Sequence, residues 1–571
     1  MSAPHRASAN PGFTAAGLEA LQQRLRGDVV DGHALVVRSL RDLGITHVFG
    51  ISGTPIRQTL GVAARVGLRV IGVRHQQAAV LAAAAHNFMT GRIAAVALVS
   101  AGPAVSNVVT GLLVARANGW PVVVLGGRTP LNMAGRGSFQ ELDGAGLFRP
   151  LARWSVVVED TAGIPAAIRS AVQVASAAPR GPVYLDLPED VLTGAGVAGS
   201  SAVAPAPATA MPDPAGVRAA VDALLAARRP LVLFGPAVRW DDAYRELLVL
   251  VERLGVPFLA APMARGLLPD DHALCFTAVG GAAQQRADLV LTVGARLDWT
   301  FRFGSELRSD AALLQIDDDA DAIGMNRAVT VGLVGAIRPT LRALLDELSR
   351  RPQAGTGQAG FAWLDELVAL RQQREQAIAR QAGNVAKPMT PHRLMAEVRD
   401  FLSPDAVCVL DGNVSMAAGQ QVIRRSAPLS LLTAGANGCM GVGVPFGIGA
   451  KLAFPERPVV VVSGDFAFGL SGMEIETAVR HRIPLVVVIA NNDGISGGLT
   501  QKAYYAPDYP ERVTMFQPGI RYDRIAEALG GHGEYVEDPR ELRSALERAA
   551  ASGVAACVNV RVDPDAPYPG R

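Results

Sequence analysis

The stretch at residues 459–498, VVVVSGDFAFGLSGMEIETAVRHRIPLVVVIANNDGISGG, decides the fold class. Four consecutive valines lead into Gly464-Asp465, a helical pattern follows from about Gly472, and a second apolar run ends at Asn491-Asn492. Apolar strands of this length joined by a helix predict a parallel sheet covered on both faces. Asp465 and Asn492 are 27 residues apart, one strand–helix–strand crossover. The crossover places both at carboxyl ends of neighbouring strands, where open α/β sheets hold their ligands. A carboxylate, an amide oxygen and a backbone carbonyl near Gly494 are hard oxygen ligands suited to Mg²⁺, with diphosphate oxygens and water completing the shell. The helix after Asp465 would turn its N-terminus to the same phosphates. Gly-Asp or Asn-Asn alone would be ordinary turn chemistry. Spacing and flanking strands set the whole block apart from that.

The same alternation continues along the chain in HVFGI, AAVALVS, PVVVLGG, PLVLFG, LVLTVGA, LLQID and VCVLDG. The predicted class is α/β, with three domains that each carry a parallel sheet flanked by helices. Two stretches rich in small and polar residues, 194–214 and 350–360, read as linkers. They divide the chain into 27–193, a central 215–349 and 361–565, after a loose tail at 1–26. The outer segments are of similar size, which suggests two related halves around a central domain.

Composition excludes several function classes. With 54 basic and 52 acidic residues, the net charge of +2 gives no field for nucleic acid or an anionic membrane. No apolar run approaches the roughly 20 residues that span a bilayer, and the N-terminus has no hydrophobic signal core. The four cysteines are far apart and form no CxxC, as expected for free thiols in a reducing cytoplasm.

The block at 459–498 resembles the cofactor motif of thiamine diphosphate (ThDP) enzymes, which runs from Gly-Asp to Asn-Asn over such a crossover. The resemblance extends over roughly residues 27–560. It implies ThDP and Mg²⁺ as cofactors, with Asp465, Asn492 and Gly494 as metal ligands. Gly464, Phe466, Ala467 and Ile495 would lie beside the diphosphate. GANGCMGVGVPFGIGAKLAF (435–454) is similar to the stretch that holds the aminopyrimidine. There the Gly438 carbonyl would accept from the 4′-amino group, and Met440 would wedge the cofactor into its bent shape. LDGNVSMAAGQQ (410–421) offers Asn413 and Ser415 near the diphosphate.

Within the superfamily, THVFGISGTPI (46–56), residues 99–127, GSFQELDGAGLFRPLARWS (137–155), PFLAAPMARGLLPDDH (257–272) and VGARLDWTFRFG (293–304) resemble 2-hydroxyacyl-CoA lyases and oxalyl-CoA decarboxylases. The central domain would then bind the CoA nucleotide, with Arg265, Arg296 and Arg302 as cations for its phosphates. For each of these a packing or surface arginine is the first reading, ahead of a CoA contact. The DGISGG sequence is similar to the bacterial branch acting on 2-hydroxyisobutyryl-CoA, and its small residues would leave room for a ketone-derived substrate. The sequence ends soon after its last strand at VRVDPDAPYPGR, where such relatives often carry a longer tail over CoA.

In this superfamily the first glutamine position of RHQQAA is a glutamate that hydrogen-bonds N1′ of the pyrimidine. That bond favours the imino tautomer, whose N4′ takes the proton from C2. Here Gln76 stands there, and an amide exchanges no proton near neutral pH. Proton-transfer assistance of this kind is worth about 10²–10⁴-fold. The chain could be an inactivated variant, a natural enzyme tolerating slow activation, or a binding protein without turnover. Gln140 matches the position facing C2 from the partner loop. Ser52-Gly53 and Ala101-Gly102-Pro103 would wall the thiazolium.

The resemblance implies a lyase interconverting 2-hydroxyacyl-CoA with formyl-CoA and an aldehyde or ketone. The alternatives are oxalyl-CoA decarboxylation, acetolactate-synthase-like carboligation, and catalytically inactive ThDP binding. The resemblance also implies active sites between subunits of a homodimer or a dimer of dimers.

Overall fold

The computed structural model describes residues 29–197, 211–351, 358–495, 498–506 and 509–569. The expected N-terminal tail, most of the first linker and part of the second lie outside these residues. Three parallel sheets form the molecule. The first orders its strands Arg69–Gly72, His47–Gly50, Ala95–Val99, Val122–Arg128, Pro182–Pro188 and Trp154–Val157. The third runs Leu431–Thr433, Val407–Asp411, Val459–Gly464, Val486–Asn491, Ala556–Arg561 and His532–Val536. Numbered by appearance in the chain, both sheets follow the order 2-1-3-4-6-5. The central sheet has five strands, Phe258–Ala260, Pro230–Phe234, Leu289–Val293, Ala312–Asp317 and Val331–Val334.

The valine runs behave as continuous apolar strands should. Val407–Leu410 and Val486–Ile489 are buried on both faces, because helices cover each side. One difference from the sequence concerns the first linker. Ala195–Val197, expected in it, forms a short antiparallel pair with Val29–Asp31, so the start of the first domain ties down its end.

The outer domains share one apolar core. Its centre is the crossing of helix Gln76–Thr90 with helix Gly443–Ala453. From Ala78 to Met89 every residue of the first helix is buried, which is why it is built from alanines and not from an amphipathic stripe. At Gly449 a Cβ would stand 2.3 Å from the Ala82 carbonyl oxygen, so the backbones meet there as only glycine permits. Trp120 fills the rest of the junction, its ring 4.7 Å from Phe88 and 5.1 Å from Phe446.

The central domain has a core of its own. Arginines attach it to its neighbours. Arg239 donates to the carbonyls of Phe88 and Met89, at 3.2 and 2.9 Å. Among the described residues no helix is long and apolar enough to cross a membrane. Cys275, Cys408, Cys439 and Cys557 are free thiols.

Candidate functional site

Strand Val459–Gly464 delivers Asp465 to the edge of an open cavity of about 260 Å³ at the carboxyl end of the third sheet. Asp465 is 1% exposed. One carboxylate oxygen accepts from the Phe466 amide at 2.7 Å and the other from the Gly494 amide at 2.9 Å. Burial pushes its pKa up to about 7, and those two bonds offset only part of the shift. A carboxylate in that condition favours a cation beside it. Among the described residues no three His, Cys, Asp or Glu side chains gather at one point. A divalent ion at Asp465 would therefore need oxygens from the Asn492 amide, a main-chain carbonyl and the bound ligand, a set that suits Mg²⁺.

The two asparagines divide their work. Asn491 is fully buried and braces the strand end, donating to the Ile520 carbonyl and to Asn559. Asn492 lines the cavity. Asp493, at φ +57°, makes a two-point ion pair with Arg561 at 2.6 Å for each bond. Its carbonyl accepts from Phe516, and Ile495 donates to Thr514. These bonds press the turn so close that a Cβ at Gly494 would lie 2.3 Å from the Thr514 oxygen.

Opposite this turn, Asp411 ends the neighbouring strand fully buried, accepting from the amides of Gly441 and Gly443 at 3.1 and 2.8 Å. Burial pushes its pKa up to about 6. Its carboxylate fixes the turn that carries Gly438, at φ +66°, and Met440. Asn413, Ser415, Gly438, Met440, Gly464, Asp465, Phe466, Ala467, Asn492, Gly494 and Ile495 all line the one cavity.

Three contributors were not anticipated from the sequence. Asp411, in the middle of the quoted Leu-Asp-Gly, ends its strand and so repeats the strand–Asp pattern of Gly464-Asp465, a signal that could have found it. Trp299 reaches in from the central domain, its indole donating to the Ala436 carbonyl at 2.5 Å. Tyr568 donates to Asn413 Oδ1 at 2.8 Å, so the segment after the last strand reaches the cavity rim. No local pattern announces these last two contacts, which span 137 and 155 residues.

Gln76, Gln140 and Ser52 do not line this cavity. They occupy loops at the carboxyl end of the first sheet. Ser52 follows strand His47–Gly50, and Gln76 opens its helix after Arg69–Gly72. Gln76 Oε1 accepts from Asn107 Nδ2 at 2.9 Å. Gln140 sits in the left-handed region at φ +58°, above Gly102, where a Cβ would come within 2.7 Å of it. Glu474 joins the first and third domains. It is 1% exposed, accepts from the amides of Arg74 and His75 at 2.9–3.1 Å, and is itself braced by the Thr477 hydroxyl. Burial raises its pKa.

The three arginines differ. Arg265 is buried, paired with Asp270 at 2.6 Å, and donates to the carbonyls of Gln420 and Ile423. Its guanidinium is thus occupied by protein acceptors at a domain boundary. Arg302 is exposed and pairs with Glu306 at 3.0 Å. Arg296 pairs with Asp319 at 2.9 Å on the wall of a second, smaller cleft, of about 90 Å³. That cleft lies where the central strands end, beside Trp240 and Arg180. The Arg180 guanidinium stacks over the Trp240 ring and pairs with Asp318 at 2.6 Å. Asp317, also on this wall, is buried, which pushes its pKa up to about 7.

Comparison with known proteins bears directly on this arrangement. Residues 30–147 match the family model "Thiamine pyrophosphate enzyme, N-terminal TPP binding domain". Residues 217–344 match the central domain of the same enzymes, and 411–560 their C-terminal TPP binding domain. The chain is 37% identical over 540 residues to the acetolactate synthase large subunit IlvG of Mycobacterium tuberculosis, covering 94% of this chain and 96% of that protein. It is 34% identical over 563 residues to a 2-hydroxyacyl-CoA lyase of Oryza sativa subsp. japonica, and 32% over 551 residues to the oxalyl-CoA decarboxylase of Escherichia coli (strain K12). Coverage in both is again 94% of this chain and 96% of the relative. With all three domain types in order and matches over nearly its whole length, the chain belongs to the thiamine pyrophosphate (ThDP) enzyme family.

Proposed function

We propose that this enzyme is a carbon–carbon lyase that interconverts a 2-hydroxyacyl-CoA with formyl-CoA and an aldehyde or ketone, and that Gln76 slows it. The observation that carries the carbon–carbon chemistry is the cavity at Asp465, where every third-domain residue expected at the cofactor converges. In this reading 361–565 holds the diphosphate, 27–193 the pyrimidine and 215–349 the CoA nucleotide. Asp465, Asn492 and the Gly494 region bind Mg²⁺. Asn413 and Ser415 hold the diphosphate, with Gly464, Phe466, Ala467 and Ile495 beside it. The Gly438 carbonyl and Met440 orient the pyrimidine.

Thiamine diphosphate, once bound, would supply a nucleophilic carbon for carbonyl chemistry. The protein's part is to orient it, exclude water and handle protons. Gln76 faces the pyrimidine but carries no transferable proton. Gln140, near the substrate oxygen, donates a hydrogen bond there. Because Gln76, Gln140 and Ser52 stand outside the cavity of their own chain, they would serve a partner's. The working unit is then a homodimer or a dimer of dimers in the cytoplasm. Support for the CoA part comes from the cleft beside Arg180 and Arg296, whose guanidinium groups suit phosphates.

One observation favours a second reading. Asp317 and Asp318 line that cleft, and carboxylates there oppose a phosphate-rich nucleotide. That suits a CoA-independent carboligase making acetolactate from pyruvate. The deciding experiment measures formyl-CoA release from 2-hydroxyisobutyryl-CoA and a straight-chain analogue, and acetolactate formation from pyruvate, with ThDP and Mg²⁺. Wild type and Gln76→Glu are run side by side. Formyl-CoA release raised by orders of magnitude in Gln76→Glu supports the lyase. Acetolactate alone supports the second reading. Neither product from either form, with ThDP bound, defeats both.

A further inference from the structure

Gln76 does more than lack a proton. Its side chain is held in one orientation. Asn107, just after helix Pro103–Ser106, donates its amide N–H to Gln76 Oε1 at 2.9 Å. The oxygen of Gln76 is therefore engaged inside the first domain, while its Nε2 makes no hydrogen bond among the described residues. Gln76 is half-buried and Asn107 exposed, so the pair lies at the surface the first domain presents. Its backbone is equally constrained. Glu474 grips the amides of Arg74 and His75 just before it, and the His75 ring accepts from Gln77 just after it.

We propose that Asn107 is a positioning residue that makes Gln76 a hydrogen-bond donor toward the cofactor. This rests on the proposed placement of Gln76 against N1′ of the pyrimidine. N1′ has a free lone pair in the amino tautomer and carries a proton in the imino and protonated forms. An outward Nε2–H₂ matches only the lone pair. It holds the pyrimidine in the amino form and opposes both forms that have a proton on N1′. A glutamate at 76 acts in the opposite sense, since its carboxylate accepts from N1′–H while Asn107 still donates to its other oxygen. The Asn107–Gln76 pair thus sets the resting tautomer, not only the rate of proton exchange.

Asn107→Asp tests this. A carboxylate at 107 only accepts, so Gln76 must turn its Nε2 inward and its Oε1 toward the cofactor. Three quantities are read on protein with ThDP and Mg²⁺. They are ThDP affinity, the near-ultraviolet circular dichroism that distinguishes amino from imino pyrimidine, and C2–H exchange of the bound cofactor. The expected result is ThDP affinity within a few-fold of wild type, a shift of the dichroism toward the imino form, and exchange about 10- to 100-fold faster, the equivalent of one hydrogen bond reversed. Asn107→Ala, which only frees the amide, should give a smaller shift in the same direction. In the Gln76→Ala background Asn107→Asp should do nothing, because it acts through Gln76. The inference is overturned if ThDP binds and Asn107→Asp moves neither dichroism nor exchange. It is also overturned if the gain survives in Gln76→Ala, or if the wild type already rests in the imino form. If Gln76→Glu also leaves the dichroism and exchange of bound ThDP unchanged, the placement of Gln76 at N1′ has failed instead.

Discussion

Replacing Gly449 by alanine tests how tightly the outer domains are joined. The added Cβ would stand 2.3 Å from the Ala82 carbonyl oxygen, 3.1 Å from Ala85 Cβ and 3.1 Å from the His86 nitrogen. The first distance is about 1.2 Å short of the roughly 3.5 Å at which heavy-atom contact becomes attractive. The obstacle is backbone inside two buried helices, so no rotamer change relieves it. Overpacking of a close-packed core costs about 1–3 kcal/mol, and backbone against backbone belongs at the upper end. Alanine returns up to about 1 kcal/mol of helix propensity. The net expectation is a loss of about 1–2 kcal/mol. Gly61→Ala is the matched control, because it also lies within a helix but its Cβ would meet nothing within 4 Å. It should gain about 0.5–1 kcal/mol. Urea unfolding followed by tryptophan fluorescence reads both, since Trp120 lies in the junction itself. The midpoint should fall for Gly449→Ala and rise for Gly61→Ala. Separating the helices also displaces Gln76, which opens one of them, and a shift of about 1 Å can cost on the order of 10²-fold in rate. If Gly449→Ala stabilises as much as Gly61→Ala, the helices are not in close contact and the argument fails.

Asp465→Ala removes the acceptor of two amides and the buried anion at the cavity edge. ThDP with Mg²⁺ should bind roughly 10- to 100-fold more weakly by calorimetry, equivalent to a lost charge-assisted bond or two. Arg265→Met leaves Asp270 buried without its partner and should cost about 3–5 kcal/mol in denaturant unfolding. If Arg265 instead served CoA, the loss would appear as a raised KM for the acyl-CoA with stability unchanged. Asp317 has a pKa raised to about 7 against an unfolded 3.8. Below pH 3.8 it is neutral in both states. Between the two values the folded protein holds a proton that the unfolded chain has released, so stability falls as pH rises, by on the order of 4 kcal/mol at most. Asp317→Asn should remove that part of the slope in unfolding curves taken from pH 4 to pH 7.

The fold was legible because its evidence is local. Runs such as PVVVVSGD and PLVVVIANN carry strand length, burial on both faces and the ligand-bearing end in a few consecutive residues. Asp465, Asn492 and Gly494 were legible for the same reason, since each stands within a few positions of a strand terminus, whereas Asn413, Ser415, Gly438 and Met440 came from the family resemblance. What escaped notice depends on distant approach. Glu474 reads as a helix-opening acid, and only the folded chain brings it to the amides of Arg74 and His75, 400 and 399 residues away. Arg265 illustrates the reverse. A cation in a stretch resembling the acyl-CoA branch suggests a phosphate ligand, yet its neighbours across the domain boundary occupy it. Asn107 lay inside a quoted stretch, but pairing one amide with another leaves no charge or period to detect.

The arginine joints between domains imply an unequal tolerance to sequence drift. Arg239 grips the carbonyls of Phe88 and Met89, Arg265 those of Gln420 and Ile423, and Arg371 those of Ala273 and Cys275. Every residue type carries a main-chain carbonyl, so the acceptor side of each joint can change identity freely while the bond persists. The donor side cannot, because lysine lacks the fork that reaches two carbonyls at once. Over long divergence these boundaries should therefore keep three arginines and let the residues they hold vary.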